Sequence, residues 1–442
     1  MVWCGVSDML RGTMRHADGH NGDDGGGAAL GAARGGDAAG GHVSFERAAT
    51  AVFGALQRSV AEMLRASGRK VRTASEIEEA FGVDYKLAWQ IHRIATSKNP
   101  LEAGEHVPAR VSMKRLLKSA ARRKVAAEVI GDVSNAFDEF ERMLETEAGD
   151  RGELDAMVAA FVPEARVKRD LANRQAAFKA LSQMKGVAME AQVGTFIMHP
   201  SADGRAVSCV NFSNYLGLRR LRAGAYIGFS TVSAAGAGAV VRTLDGHAPD
   251  EHHTILLERY CSVPASGFAV GKNGPLTEYT IAGENVGLRA AVDLAMAEHR
   301  VGAMKRYRTA DGRRMTGLVN MPDHPMKRMT TDIFLHRDVY PGSAPEIGVY
   351  DFVPRGMVAG GLNDPTREKD RIPFKDLCEP IAGGMRAAAL AHVPKYLEML
   401  EYVCGKLGWD AGEFRGYRLD VAYPVYGGQY MFGFVLPEGP GA

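Results

Sequence analysis

Between Ser75 and Ile94 the chain reads Ser-Glu-Ile-Glu-Glu-Ala-Phe-Gly-Val-Asp-Tyr-Lys-Leu-Ala-Trp-Gln-Ile-His-Arg-Ile, two apolar stripes of helical period parted by a short corner. This stretch constrains the fold more than any other. Ile77, Ala80 and Phe81 fall on one side of a first helix, with Ser75 placed to cap it. Gly82 follows where the helix must stop and the backbone favours positive φ. Val83 can plug the corner, and Asp84 can cap a second helix. That helix turns Leu87, Ala88, Ile91, Ile94 and Ala95 inward, and Tyr85, Lys86, Trp89, Gln90 and Arg93 outward.

The stretch resembles bacterial helix-turn-helix regulators, in which a short helix, Gly-Val-Ser and a recognition helix follow in order. Asp84 stands where Ser is commoner, and Glu79 precedes the usual small residue, here Ala80. The resemblance is confined to residues 75–94 of 442. It implies insertion of the second helix into the major groove of double-stranded DNA. Gln90 would pair with adenine, Lys86 or Arg93 with guanine edges or phosphates, and Tyr85 with a phosphate or a thymine methyl. Arg110, Lys114, Arg115 and Lys118 would hold a neighbouring phosphate strand without reading sequence. Trp89 is expected to pack rather than read.

The charge distribution agrees with a phosphate-facing module. Residues 65–124 hold 14 Lys and Arg against 6 Asp and Glu, an excess of +8 within a chain whose net charge is only +2. Solvated helix faces are also basic, so the excess gains meaning only beside the helix-turn-helix. The five cysteines are scattered with no C-x-x-C pair, which argues against a disulfide framework or a Cys-rich zinc site and suits a cytoplasmic protein. No apolar run approaches a membrane span, and no apolar core follows a basic start as in a secretory leader.

A length of 442 residues predicts more than one folded unit. Residues 1–41 contain 12 glycines and few large apolar side chains, which predicts a disordered tail. A helix capped by Ser44 should run through Phe45, Phe53, Val60 and Leu64 and end at Gly68. Lys98 to Arg110 is expected to be a loop without a β-wing. From Ser112, one long helical stretch should reach Met143. Residues 43–147 thus form an all-helical domain, and residues 153–185 a helical connector interrupted at Pro163.

From Gly186 the texture changes to short Val-, Ile-, Thr- and Tyr-rich runs between turn residues, so residues 186–442 are predicted to be an α+β domain. Strands are expected at Met189 to His199, Arg205 to Phe212, Ala225 to Val232, Val240 to Leu244, His253 to Cys261 and Ile347 to Pro354. Helices are expected at Glu284 to His299 and over most of Phe374 to Leu407. Tyr417 to Tyr426 and Gln429 to Leu436 should form a hairpin at Gly427-Gly428.

Other constellations are weaker. Asp250, Glu251, His252 and His253 have ligating chemistry, but adjacent histidines on a strand face opposite ways. Asp323, His324, His336 and Asp338 could ligate a metal or supply an acid and a base, yet their spacing matches no metal motif. Gly267 to Gly274 lacks the spacing and hydroxyl of a phosphate loop and suits a turn between strands. Ser230, in Gly228-Phe-Ser-Thr-Val232, lacks the second glycine of a nucleophile elbow, and Gly356 to Gly361 has no dinucleotide fingerprint. Tyr417, Tyr423, Tyr426, Tyr430, Phe432 and Phe434 could line a pocket or dimer face but suit ordinary sheet packing.

The sequence therefore predicts a multidomain α+β protein acting as a DNA-binding transcriptional regulator, with a helix-turn-helix domain and a C-terminal ligand-sensing or oligomerisation domain. Its expected partners are double-stranded DNA, a small-molecule effector and a second copy of itself, with no membrane, metal or cofactor. Catalysis is not expected. The alternatives are an enzyme delivered by its helical domain, with Asp323, His324, His336 and Asp338 to test, or an assembly adaptor.

Overall fold

A computed structural model of the chain describes residues 3–4, 44–68, 71–232, 240–274, 276–308, 314–351 and 365–439. They divide into two compact units, one within residues 24–173 and one within 174–442 together with 1–23. A helical N-terminal region precedes a larger sheet-rich one, as the sequence predicts. The Gly-rich segment 1–41, expected to be disordered, lies outside the described residues except for Trp3–Cys4 (β1).

The first unit contains α1 (Phe45–Ala66), α2 (Ala74–Phe81), α3 (Tyr85–Thr96), α4 (Pro100–Gly104), α5 (Arg110–Arg122), α6 (Ala127–Met143) and α7 (Arg151–Ala159). Phe53, Leu56 and Val60 of α1 meet Ile77 and Phe81 of α2, Leu87 and Ile91 of α3, and Phe137 and Phe140 of α6 in one core, which Leu154 and Val158 of α7 also enter. Close approach fixes one glycine. A Cβ on Gly104 would lie 2.7 Å from the Phe53 ring. Arg151 ties α7 to this corner, donating to the carbonyls of Val107 (2.9 Å) and Gly104 (2.7 Å).

Several boundaries differ from those expected. Lys98 to Arg110 is not all loop, because Pro100 takes the first helical position of α4 and the Asn99 side chain accepts from the Leu101 N–H. The stretch from Ser112 to Met143 is two helices. α5 starts at Arg110, ahead of Ser112, and Lys124 adopts a φ of 63° that no helix continues through.

The chain passes into the second unit within α8 (Pro163–Lys185), which begins at Pro163 after α7 has ended. The strands are β2 (Val187–Pro200), β3 (Ala206–Arg220), β4 (Gly228–Val232), β5 (Val240–Arg242), β6 (Phe268–Asn273), β7 (Leu276–Ile281), β8 (Val292–Lys305), β9 (Met315–Asn320), β10 (Met326–His336), β11 (Glu346–Tyr350), β12 (Arg371–Ile372), β13 (Glu379–Ile381), β14 (Phe414–Ala422) and β15 (Gln429–Val435). A seven-stranded sheet runs β13-β14-β10-β2-β3-β8-β5, antiparallel except for the β10–β2 pair. A five-stranded sheet runs β1-β9-β15-β11-β12 and a three-stranded one β4-β7-β6.

One face of the large sheet, through Phe196, Ile333 and Leu419, packs with Leu318, Phe432 and Phe434 of the five-stranded sheet. The other, through Val193, Ile197, Phe212 and Phe334, meets Tyr396, Leu400 and Val403 of α9 (Tyr396–Leu407). Burial on both faces explains the largest misreading. Glu284 to His299 was expected to be a helix, but β8 occupies its second half, with Leu294 and Met296 in one core and Ala295 and Ala297 in the other. A strand buried on both sides loses the alternation that marks strands in sequence.

Three further expectations fail in this unit. His253 to Cys261 is irregular, with a single 3-10 turn at Glu258–Tyr260. Only Tyr396–Leu407 of the stretch from Phe374 is α-helical. The final aromatic runs are not a hairpin, because β14 joins the large sheet and β15 the five-stranded one. Tyr430, Phe432 and Phe434 alternate into the core, so they pack the sheet rather than line an open pocket. Gly267 to Gly274 does form a turn-bearing strand, β6 pairing with β7 through Gly274 at φ 57°.

Candidate nucleic-acid interface

The geometry at residues 73–97 is that of a capped helix, a left-handed glycine and a second capped helix. Thr73, not Ser75, caps α2. Its hydroxyl accepts from the Glu76 N–H (3.3 Å), while the Glu76 carboxylate accepts from the Thr73 N–H (2.9 Å), a reciprocal box. These same backbone bonds, from Arg72 and Thr73, hold the Glu76 carboxyl below its ordinary value. Gly82 sits at φ 60° and its N–H closes α2 on the Glu78 carbonyl. Asp84 caps α3 by accepting from the Leu87 N–H at 3.0 Å. Leu87, Ala88, Ile91 and Ile94 are at most 1 % exposed, so α3 cannot rotate without losing its core.

The opposite face is open. Tyr85 is 54 % and Trp89 42 % exposed, Lys86 and Arg93 are exposed, and Gln90 is half-buried. Spacings of three and four residues place these side chains on one stripe. Trp89 meets His106 edge-to-face at 5.2 Å, and the Arg93 Nε donates to His106 Nε2 at 3.4 Å. Burial, with the charges of Arg93 and Arg151, pushes the His106 pKa down, consistent with a neutral ring accepting from Arg93.

Helix α5 lies against the corner. Ser119 Oγ donates to the Phe81 carbonyl, and Arg123 Nη2 comes within 3.8 Å of where a Gly82 Cβ would stand. Arg115 pairs with Asp84 at 3.0 Å. The acid at the start of α3 is thereby matched by a cation. The Leu87 N–H bond foremost, with Arg115 adding, holds its carboxyl below the ordinary value. Arg110 is paired with Glu141 of α6. Lys114 and Lys118 are exposed and have no carboxylate partner among the described residues. Sequence reasoning left Arg122 and Arg123 out of the candidate set. Their charge was visible in the sequence, whereas the position of Arg123 beside Gly82 follows from the packing of α5.

The other candidates are scattered. Asp323 and His324 pair at 2.9 Å just before β10, whereas His336 ends that strand, about 33 Å from its first residue Met326 at the usual rise per residue. There His336 meets Glu413 at 2.8 Å and Asp338 at 3.6 Å. Asp250 accepts from the N–H groups of His252 and His253 in an exposed turn. Among the described residues no group of three or more His, Cys, Asp or Glu side chains is placed to hold a metal. Ser230 lies within β4, and Gly356 to Gly361 lies outside the described residues. Among the described residues no helix is long and apolar enough to cross a membrane.

No family model matches the chain, and no curated protein matches it. Among solved structures, a putative protease from Parabacteroides distasonis is 10 % identical with a TM-score of 0.25, covering 57 % of this chain and 41 % of that one. A two-domain M1 zinc metallopeptidase bound to L-tryptophan is 6 % identical with a TM-score of 0.22, covering 56 % and 43 %. The chain thus spans about two fifths of each, and likenesses this slight carry no argument about fold or activity.

Proposed function

We propose that the protein is a sequence-specific DNA-binding transcriptional regulator. In this proposal α3 enters the major groove, and the α+β unit senses a ligand or holds two copies together. The observation that carries it is the asymmetry of α3, buried to 1 % or less on one side and presenting Tyr85, Lys86, Gln90 and Arg93 on the other. Its N-terminus, the end that contacts base edges in such modules, lies beside the basic face of α5. Lys114 and Lys118 supply phosphate contacts, and Gln90 and Lys86 supply base readout. A homodimer would place two recognition helices one turn of duplex apart.

Fluorescence anisotropy of a labelled random-sequence duplex pool with the full chain, across a salt series, tests this. The expected binding weakens steeply with salt, and Lys114→Ala lowers the logarithmic slope by about one. Gln90→Ala should weaken a selected sequence more than the pool. Absence of binding at low salt refutes the proposal. Partner capture that ignores salt would instead favour protein docking through Tyr85, Trp89 and Val111, all exposed on these two helices.

A further inference from the structure

The second unit contains a cavity of about 360 Å³ between the end of β3, the end of β7 and the turns at residues 262–267 and 285–291. Its floor is apolar, with Leu218, Ile227, Ile281 and Val292. Its charged lining is unbalanced: Arg219, Arg220 and Arg289 contribute, and no Asp or Glu does. Arg219 is neutralised from outside the cavity by Glu190 at 2.8 Å. The other two have no carboxylate partner among the described residues.

Arg220 is the unusual one. It is 8 % exposed, and its Nε and Nη2 donate to the carbonyls of Ala225 (2.8 Å) and Ile281 (2.6 Å). Nη1 has no acceptor among the described residues. A buried guanidinium met only by neutral carbonyls is costly unless an anion completes it. Arg289, exposed in a 3-10 turn at the rim, has no hydrogen bond or ion pair among the described residues. A fixed cation at depth, an exposed one at the rim and an apolar floor match one ligand chemistry.

We propose that this cavity binds a small organic carboxylate with a compact apolar body. The carboxylate sits between Arg220 and Arg289, and the hydrocarbon covers Leu218, Ile227 and Val292. The volume falls in the range of small-molecule sites, and a charge-assisted contact to guanidinium is the strongest single bond such a ligand can make. The site does not depend on DNA binding, so either proposal can fail alone.

Isothermal titration of octanoate into the full chain, with octan-1-ol as the uncharged counterpart, tests it. Saturable one-to-one octanoate binding is expected, with octanol at least tenfold weaker. Arg289→Glu should weaken octanoate at least tenfold and leave octanol unchanged. Ala290→Trp, which fills the cavity from its rim, should abolish both. Both sites are on a surface turn, and a melting temperature equal to that of the parent establishes that each variant is folded. The proposal is overturned if octanoate shows no saturable binding, if octanol binds equally well, or if either folded variant binds octanoate as the parent does.

Discussion

Replacing Arg418 by Met removes the only guanidinium among the described residues that reaches Asp332, a carboxylate with no solvent exposure at the centre of the large sheet. Arg418 grips it with two bonds of 2.7 Å, Nε to Oδ1 and Nη2 to Oδ2, and the Tyr396 hydroxyl donates to Oδ2 at 2.8 Å. The Tyr396 oxygen in turn lies 2.7 Å from Thr195 Oγ1. Breaking a buried pair from one side typically costs about 3–5 kcal/mol, because the remaining charge is left without its partner. For a unit of this size that corresponds to a melting temperature lowered by roughly 6–20 °C.

The loss should depend on pH in a definite direction. Burial pushes the Asp332 pKa up, and Arg418 opposes it. Without Arg418 the carboxyl moves further up and takes a proton as pH falls. The ionised form is the destabilising one, so the gap between parent and variant should be wider at pH 8 than at pH 5. Adding Asp332→Asn removes the stranded charge and keeps an acceptor for Tyr396, so the double variant should return to within about 1–2 kcal/mol of the parent. Urea denaturation at both pH values measures all four corners of this cycle. A single-variant loss below about 1 kcal/mol, a gap that does not change with pH, or a double variant no better than Arg418→Met would each refute the argument.

Three further outcomes are expected. Burial, with the neighbouring His199, pulls the His299 pKa from 6.5 down to about 4, a depressed folded value, so its contribution is complete above pH 6.5 and is lost as pH falls towards 4; thermal melts should show a decline of up to about 3 kcal/mol that His299→Gln flattens. Gly104→Ala forces a methyl against the Phe53 ring and should cost the helical unit about 1–3 kcal/mol by denaturant titration, and a neutral result would show that Phe53 yields freely. Asp84→Ala removes the cap of α3 and should cost about 1 kcal/mol at pH 7; because its folded pKa is depressed, that cost should shrink as pH falls below the unfolded carboxylate range, which a guanidinium titration at two pH values can check.

The local rules written into the chain determined the two capped helices α2 and α3 and the corner between them. Gly82 demands positive φ, Asp84 is a cap and Leu87, Ile91 and Ile94 share a face, so neighbours within four residues settle that geometry. The cap of α2 was expected at Ser75, two residues late. It falls at Thr73 because Glu76, three residues on, completes the box. The candidate face on α3 was legible for the same reason, whereas the pairing of Arg115 with Asp84 spans 31 residues and is visible only in the packed unit. In the second unit tertiary structure decided more. Val292–Lys305 became a strand because β3 pairs along it and both faces are covered, a choice made by partners about 80 residues earlier in the chain rather than by its own periodicity. β14 and β15 parted into different sheets although Gly427-Gly428 permits a hairpin, since each found a longer-range partner in β10 or in β9 and β11. The arginine-lined cavity has no sequence signature either, because Arg220 and Arg289 meet only where strands and turns distant in sequence converge.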